Sequence, residues 1–295
     1  MRKSWLTYFI YVSLLFLLLA LINKDLIYIP EIINPEYLIA SLFFLFTGFI
    51  CSSLPWQHVL IKSNNPVKLS DSLISIGLTI FSKYIPGKIW TIIGPAGYIA
   101  QKYNYSGSHL TSLSLDNQLI ILWTGLILSS FGLFSLNGLE QWGLIILILW
   151  FILSITIFTN VFHDAISFAI KSVFKRNINI SRLSFRKVIV ITPYFILTWL
   201  LWCTGFYFLS QALTSVDLPF ISGLGFAFAG TLGIMVIIAP GGIGVREGIL
   251  VGYLMMGGLD AKEAASISIA SRLWFLSGEG FIFFTALVLK KTYKK

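Results

Sequence analysis

The sequence predicts an all-α polytopic membrane protein. The expected plan is an inverted repeat of about six full spans plus two Pro-Gly-tipped re-entrant hairpins, about eight membrane segments in one transmembrane domain, 1–295. Three observations predict it. Of the 295 residues, 57% are hydrophobic, 16% aromatic and only 11% charged, whereas a soluble domain carries about a quarter charged residues. Apolar runs long enough to cross a bilayer recur from end to end. Two of those runs are broken midway by Pro-Gly: Tyr84-Ile85-Pro86-Gly87-Lys88-Ile89-Trp90 and Ala239-Pro240-Gly241-Gly242-Ile243-Gly244.

Residues 5–22 form the first expected span, behind Arg2 and Lys3; no small-residue cleavage pattern follows it, so it reads as uncleaved. A loop over 23–36 carries Lys24, Asp25, Glu31 and Glu36, with Pro30 and Pro35 keeping helix out of it. The second span, 37–61, ends at Lys62 and Lys68. Residues 71–103 are two short arms around Pro86-Gly87, the first hairpin; Gly94, Pro95 and Gly97 weaken its second arm. Spans follow at 110–136 and 142–162, and then a basic stretch, 163–187, reads either as an amphipathic surface helix or as a cytoplasmic loop. The span 188–212 precedes the second hairpin, 220–256, and 264–289 makes the last span, anchored by Lys290, Lys291, Lys294 and Lys295.

The net charge of +9 resides largely in the segments between spans. That is the positive-inside pattern of a multi-pass protein with both termini cytoplasmic, and not a nucleic-acid footprint. Hairpins and complete pairs of spans return the chain to the same side. Six spans with two hairpins and eight or more full spans therefore stand as competing counts.

A shift of 154 positions aligns Pro86 with Pro240, Gly87 with Gly241, Ile89 with Ile243 and Gly94 with Gly248. The first repeat half is 1–136 and the second 142–295. Each half crosses an odd number of times, so the second is inverted relative to the first. Matching Pro/Gly interruptions in inverted halves point to a transport site near the midplane.

A helix that starts inside a bilayer aims unpaired N–H groups and its positive dipole end at the break, which suits phosphate or carboxylate. Around the tips stand Lys83 and Lys88, then Arg246 and Glu247, with Arg272 and Glu279 seven apart on one face of the last span. Charges at that depth are functional candidates. The expected anionic-headgroup site comprises Lys83, Pro86, Gly87, Lys88, Pro240, Gly241, Gly242, Gly244 and Arg246. Glu247, Arg272 and Glu279 form the expected gating or coupling set, with the two acids neutralising Arg246 and Arg272 or carrying a proton. The bland alternative has the lysines snorkelling to the interface and Arg272 with Glu279 as a structural pair. Asp116, Asn117 and Gln118 are expected near the start of their span, as caps or interfacial groups.

No enzyme is expected. His58, His109 and His163 are scattered without metal-ligand spacing, and no Walker loop or dinucleotide fingerprint occurs. Cys51 and Cys203 lie in apolar runs without such spacing either. No cofactor or metal is expected.

At both tips the sequence resembles the flippase-like membrane family related to the transmembrane region of lysylphosphatidylglycerol synthases. The resemblance rests on Lys83-Tyr84-Ile85-Pro86-Gly87-Lys88-Ile89-Trp90, on Pro240-Gly241-Gly242-Ile243-Gly244-Val245-Arg246-Glu247, and on Arg272. It implies a bacterial or archaeal cytoplasmic-membrane protein that moves lipids or lipid-linked sugars in envelope lipid or glycan assembly. This chain shows no soluble aminoacyl-transferase domain, so lysyl-lipid synthesis is not implied. Where many relatives carry Arg after the first motif it has Gly94-Pro95, which leaves Lys88 to supply the charge. The expected substrate is an anionic lipid, either a phospholipid or a polyprenyl-phosphate-linked sugar. Candidate partners are membrane lipids, glycan or lipid biosynthesis enzymes and a second copy of the chain. The rival readings are a polyprenyl-phosphate-dependent membrane glycosyltransferase and a non-catalytic scaffold subunit of a glycan-assembly complex.

Overall fold

The computed structural model describes residues 31–85, 89–136, 140–160, 164–165, 183–236, 242 and 244–292. Among these, five helices are long and apolar enough to cross a membrane: Pro35–Lys62, Gly107–Phe134, Glu140–Phe158, Phe185–Leu213 and Ala261–Thr292. There is no strand among the described residues, and the fold is that of an all-α polytopic membrane protein. The expected first span, 5–22, and most of the basic stretch 163–187 lie outside the described residues.

Helix α1 (Pro35–Cys51) begins on its proline. Pro35 therefore starts the helix instead of holding it off, because a residue at the first helical position has no intrahelical use for its N–H. Helix α2 (Ser53–Lys62) continues the span after a break at Ser52. Pro55 explains the break, since it offers no N–H to the carbonyl of Cys51 four residues back. The Ser52 and Ser53 hydroxyls donate instead to the carbonyls of Phe49 and Ile50, each at 2.7 Å.

Helix α3 (Leu69–Thr79) runs into a 3-10 turn, Ile80–Tyr84, and α4 (Trp90–Tyr103) returns antiparallel to it. Asp71 pairs with Lys102 and accepts from Tyr103, and Thr79 packs on Gly94. The pairs Asp71–Lys102 and Thr79–Gly94 are both centred between residues 86 and 87. Helix α4 continues through Pro95, at the sixth of its 14 positions, although the proline offers no N–H to the Thr91 carbonyl.

The long helices α5 (Gly107–Phe134), α6 (Glu140–Phe158) and α7 (Phe185–Leu213) follow. A second antiparallel pair comes next: a 3-10 turn, Phe220–Leu224, then α8 (Gly225–Met235) and α9 (Val245–Met256). Gly225 lies under the Tyr253 ring and Gly233 against Arg246, pairs centred at 239 and between 239 and 240. The four arms hold 11, 14, 11 and 12 helical residues. That is about 16–21 Å each, short of the roughly 30 Å hydrocarbon core. Helix α10 (Ala261–Thr292) closes the chain.

The packing keeps one pattern when the halves are exchanged. Helix α3 packs on α10 as α8 packs on α5; α4 packs on α5 as α9 packs on α10; α1 and α7 pack on each other. At the centre Phe49, Trp202, Phe226, Trp274 and Phe275 form one aromatic cluster, with Phe49–Phe275 centroids 4.9 Å apart and Trp202–Phe275 5.3 Å. Small residues let the backbones approach, as transmembrane packing requires. A Cβ on Gly77 would lie 2.6 Å from both the Ala286 Cβ and the Ile282 carbonyl oxygen.

Gly77→Ala is expected to cost about 1–3 kcal/mol, because the Ile282 backbone cannot yield as a side chain could. Gly252→Ala, with nothing within 4 Å of the added methyl, is expected to be neutral or to stabilise by up to about 1 kcal/mol. Unfolding of both variants in detergent checks the pair; equal behaviour of the two would contradict the α3–α10 contact.

Candidate functional site

Helix α10 organises the site. Arg272, Phe275 and Glu279 are at its twelfth, fifteenth and nineteenth positions of 32, astride its middle. Glu279 has 1% of its side chain exposed. Lys83 donates to its Oε1 at 2.5 Å and the Tyr84 hydroxyl to its Oε2 at 2.9 Å. Arg272 in turn donates to the Tyr84 oxygen at 3.4 Å, and its Nε stands 3.9 Å from Glu247 Oε1. Glu247 Oε2 accepts from the Gly244 amide at 2.6 Å, and Ser268 donates to the Glu247 carbonyl at 3.1 Å. A continuous chain thus runs Lys83–Glu279–Tyr84–Arg272–Glu247. It joins the end of one hairpin arm to the start of the other across the middle of a span.

The expected pairings are rearranged. Arg272 and Glu279 do not pair with each other, since seven residues separate them by about 10 Å along the axis; Tyr84 bridges the gap. Glu279 serves Lys83 and Glu247 serves Arg272. Neither acid forms an ion pair with Arg246 among the described residues. Arg246 is buried, with its guanidinium 4.3 Å from the Phe226 ring centre and 4.8 Å from that of Phe275. Aromatic faces attract the cation but do not satisfy its donors. Its Nη2 has no hydrogen-bond partner among the described residues.

Arg246 borders a cavity of about 230 Å³ whose wall also includes Lys83 and Arg272. Ser114, Asn117, Gln118 and Trp56 line it too. The wall draws on Phe49, Ser52 and Trp56 from the later part of the α1–α2 span and on 114–121 from the first half of α5. From α7 it takes Trp199 and Trp202, near the midpoint, and from α10 Arg272 and Phe275, just before the midpoint. The cavity therefore extends from mid-span toward the ends flanked by Lys62, Lys68, Lys102, Arg186 and Lys187.

Of the expected headgroup residues, the structure brings Lys83 and Arg246 to the cavity. Gly242 and Gly244 have φ of +71° and +83°, left-handed values that favour glycine. Their role is to shape the turn into α9: a Cβ on Gly242 would lie 2.9 Å from the Gly233 carbonyl oxygen. Pro86, Gly87, Lys88, Pro240 and Gly241 lie outside the described residues. The α9 start is partly satisfied from within, because Glu247 caps the Gly244 amide.

Sequence reasoning missed Tyr84, Ser82, Asn117 and Trp202. Tyr84 was visible as a polar tip residue, but its partners lie almost 200 positions away. Helix α5 starts at Gly107, which puts 116–118 some three turns inside it. Asp116 is buried and accepts from the backbone N–H of Leu183 at 2.9 Å. It fastens the chain entering α7 and does not cap its own helix.

Among known families, the one described as "Lysylphosphatidylglycerol synthase TM region" matches residues 4–276. The match takes in both Pro-Gly stretches, Arg246, Glu247 and Arg272. No individually curated protein matches the chain.

Glu279→Gln leaves the Lys83 ammonium without its carboxylate. The expected cost is about 2–3 kcal/mol, below the full cost of breaking a buried pair because Lys83 is a quarter exposed. The double variant Lys83→Met/Glu279→Leu is expected to recover most of that. A double-mutant cycle in detergent unfolding measures the coupling, and additive losses would reject the pair as a unit.

Proposed function

Starting from a chain that belongs to the family of the lysylphosphatidylglycerol synthase TM region, we propose that it is a flippase. It moves an anionic lipid, either a phospholipid or a polyprenyl-phosphate-linked sugar, across the cytoplasmic membrane in envelope lipid or glycan assembly. The observation that carries this reading is Arg246. A buried guanidinium keeps a nitrogen unpartnered on a cavity wall, where two short helical pairs meet the middle of a span. A cation there is costly unless an anion visits, and a phosphate oxygen is the matching acceptor.

The antiparallel arms support a pair of re-entrant hairpins, since each is too short to span and their ends contact α10 near its midpoint. The exchange symmetry of the packing supports an inverted repeat, the architecture of alternating access. The two halves would rock about the α10 network, with Glu247, Arg272, Tyr84, Lys83 and Glu279 exchanging partners as the headgroup passes. With the basic-flanked ends in the cytoplasm, the cavity belongs to the inner-leaflet half and corresponds to an inward-facing state.

A carrier fits better than a glycosyltransferase. Asp71, Asp116, Glu247 and Glu279 are each engaged by partners, which leaves none of these four poised as an acid or base. Membrane lipids and enzymes of envelope glycan or lipid synthesis are the natural partners.

The experiment is reconstitution in liposomes with fluorescent phosphatidylglycerol or a fluorescent polyprenyl-phosphate sugar, with the outer leaflet quenched chemically. Transport of at least one is expected. Arg246→Gln should slow it about tenfold or more, the loss of a charge-assisted bond, with normal insertion. Absence of translocation of both lipids, with and without a proton gradient, overturns the proposal. Activity unchanged in Arg246→Gln would remove the residue from the site.

A further inference from the structure

The same cavity carries information on what the headgroup must contain, an inference that rests on the flippase reading. We propose that it selects anionic headgroups that also bear hydroxyls, such as glycerol or sugar phosphates, and rejects headgroups that carry an ammonium.

Four residues of its wall each hold a buried polar atom with no hydrogen-bond partner among the described residues: Arg246 Nη2, Ser82 Oγ, Trp202 Nε1 and Asn117 Oδ1. A phosphate satisfies the guanidinium and the indole, which only donate. It cannot satisfy Asn117. Whichever way that amide is turned, it presents an acceptor beside its donors, and an ionised phosphate diester has no hydrogen to give. A buried acceptor left unpaired disfavours the complex. The ligand must therefore donate as well as accept.

Hydroxyl and ammonium groups both donate, and charge separates them. The charged residues on the wall are Lys83, Arg246 and Arg272, and no carboxylate lines it among the described residues. Glu279 and Glu247 are held by Lys83, Tyr84, Arg272 and the Gly244 amide. An ammonium would enter beside Arg246, with the acids near Lys83 and Arg272 already engaged and no carboxylate on the described wall to pair with it, a mismatch that specific sites avoid. A hydroxyl donates to Asn117 without that conflict.

The remaining wall suits a neutral polyol. The indole N–H groups of Trp56 and Trp199 are already spent on Ser75 Oγ and the Ile121 carbonyl, at 3.2 and 3.0 Å. What these two rings offer the cavity is apolar surface. Ser114 and Gln118 stand within a turn of Asn117 on α5 and complete a polar strip. At about 230 Å³ the cavity lies below the roughly 300–1,000 Å³ typical of ligand pockets. That is the scale of one compact headgroup.

The test is binding to the purified full chain in detergent, read by quenching of tryptophan fluorescence. The probes are dihexanoyl phosphatidic acid, phosphatidylglycerol and phosphatidylethanolamine, with a short polyprenyl-phosphate monosaccharide, at a mildly alkaline pH where phosphatidic acid is fully ionised and has no P–OH to donate. Phosphatidylglycerol, the monosaccharide lipid or both should bind about tenfold or more tighter than phosphatidylethanolamine, and tighter than phosphatidic acid. Which of the two binds more tightly assigns the hydroxyls to glycerol or to sugar. Asn117→Leu should weaken the hydroxyl-bearing probe about tenfold and leave phosphatidic acid unchanged, while Arg246→Gln weakens every phosphate probe. Asn117→Asp should raise the affinity for phosphatidylethanolamine. If Asn117→Leu does not fold, the wild-type ranking alone decides. Phosphatidylethanolamine binding as tightly as the better hydroxyl-bearing probe overturns the inference, as does an equal loss of phosphatidic acid in Asn117→Leu. Binding of phosphatidic acid with no gain from hydroxyls overturns the inference and leaves the flippase reading standing. No binding of any phosphate probe removes both.

Discussion

A carboxylate buried at the middle of an apolar span is costly unless opposite charge and donors come to it. Glu279 has 1% of its side chain exposed, and its two donors, Lys83 and Tyr84, arrive together on the end of one short arm. That arm ends against the middle of α10 to make the contact. From this follow the close α3–α10 packing at Gly77, the antiparallel return of α4, and the Asp71–Lys102–Tyr103 cluster that ties the base of the pair. On the other side Glu247 brings the start of α9 to Arg272 in the same way. The span, the two arms and the ion chain are one construction.

Arg246 is treated differently. It is packed against aromatic rings and has a nitrogen without a hydrogen-bond partner among the described residues. The other central cations, Lys83 and Arg272, stand against the protein's own acids, Glu279 and Glu247. Phe49, Trp202, Phe226 and Phe275 belong to the buried cluster around it, and apolar surroundings strengthen any charge interaction made there. On the proposed flippase reading, a burial that is unfavourable for the empty protein becomes favourable once a phosphate binds.

Much of the fold was legible because lipid solvent imposes a simple grammar. Apolar length marks a span, basic residues mark its cytoplasmic end, and Pro-Gly within an apolar run marks a break. Both short pairs appear where their Pro-Gly stretches placed them, 71–103 and 220–256. Pairwise chemistry was less legible. Lys83, Arg246, Glu247, Arg272 and Glu279 were all visible as charges in apolar surroundings, yet the sequence left open which acid serves which base. Asn117 and Gln118 were legible as polar residues early in a span, without the cavity that they line. Pro35 was expected to keep helix out and instead starts one, at a position where a missing N–H is of little consequence.

By itself the sequence determined the class of protein, the long apolar runs, the Pro-Gly breaks within them, and the small set of charges in apolar surroundings. Those are local properties, set by transfer from water to lipid and by backbone geometry. Only the tertiary structure decided that Tyr84 bridges Arg272 and Glu279 and that Glu247 caps its own helix. It likewise decided that Arg246, Asn117 and Trp202 line one cavity, each with a polar atom unpartnered among the described residues. Each of these depends on residues brought together from distant parts of the chain, and a buried charge takes its partner from whatever the packing places within about 4 Å. Hydrophobicity and periodicity carry no record of that choice.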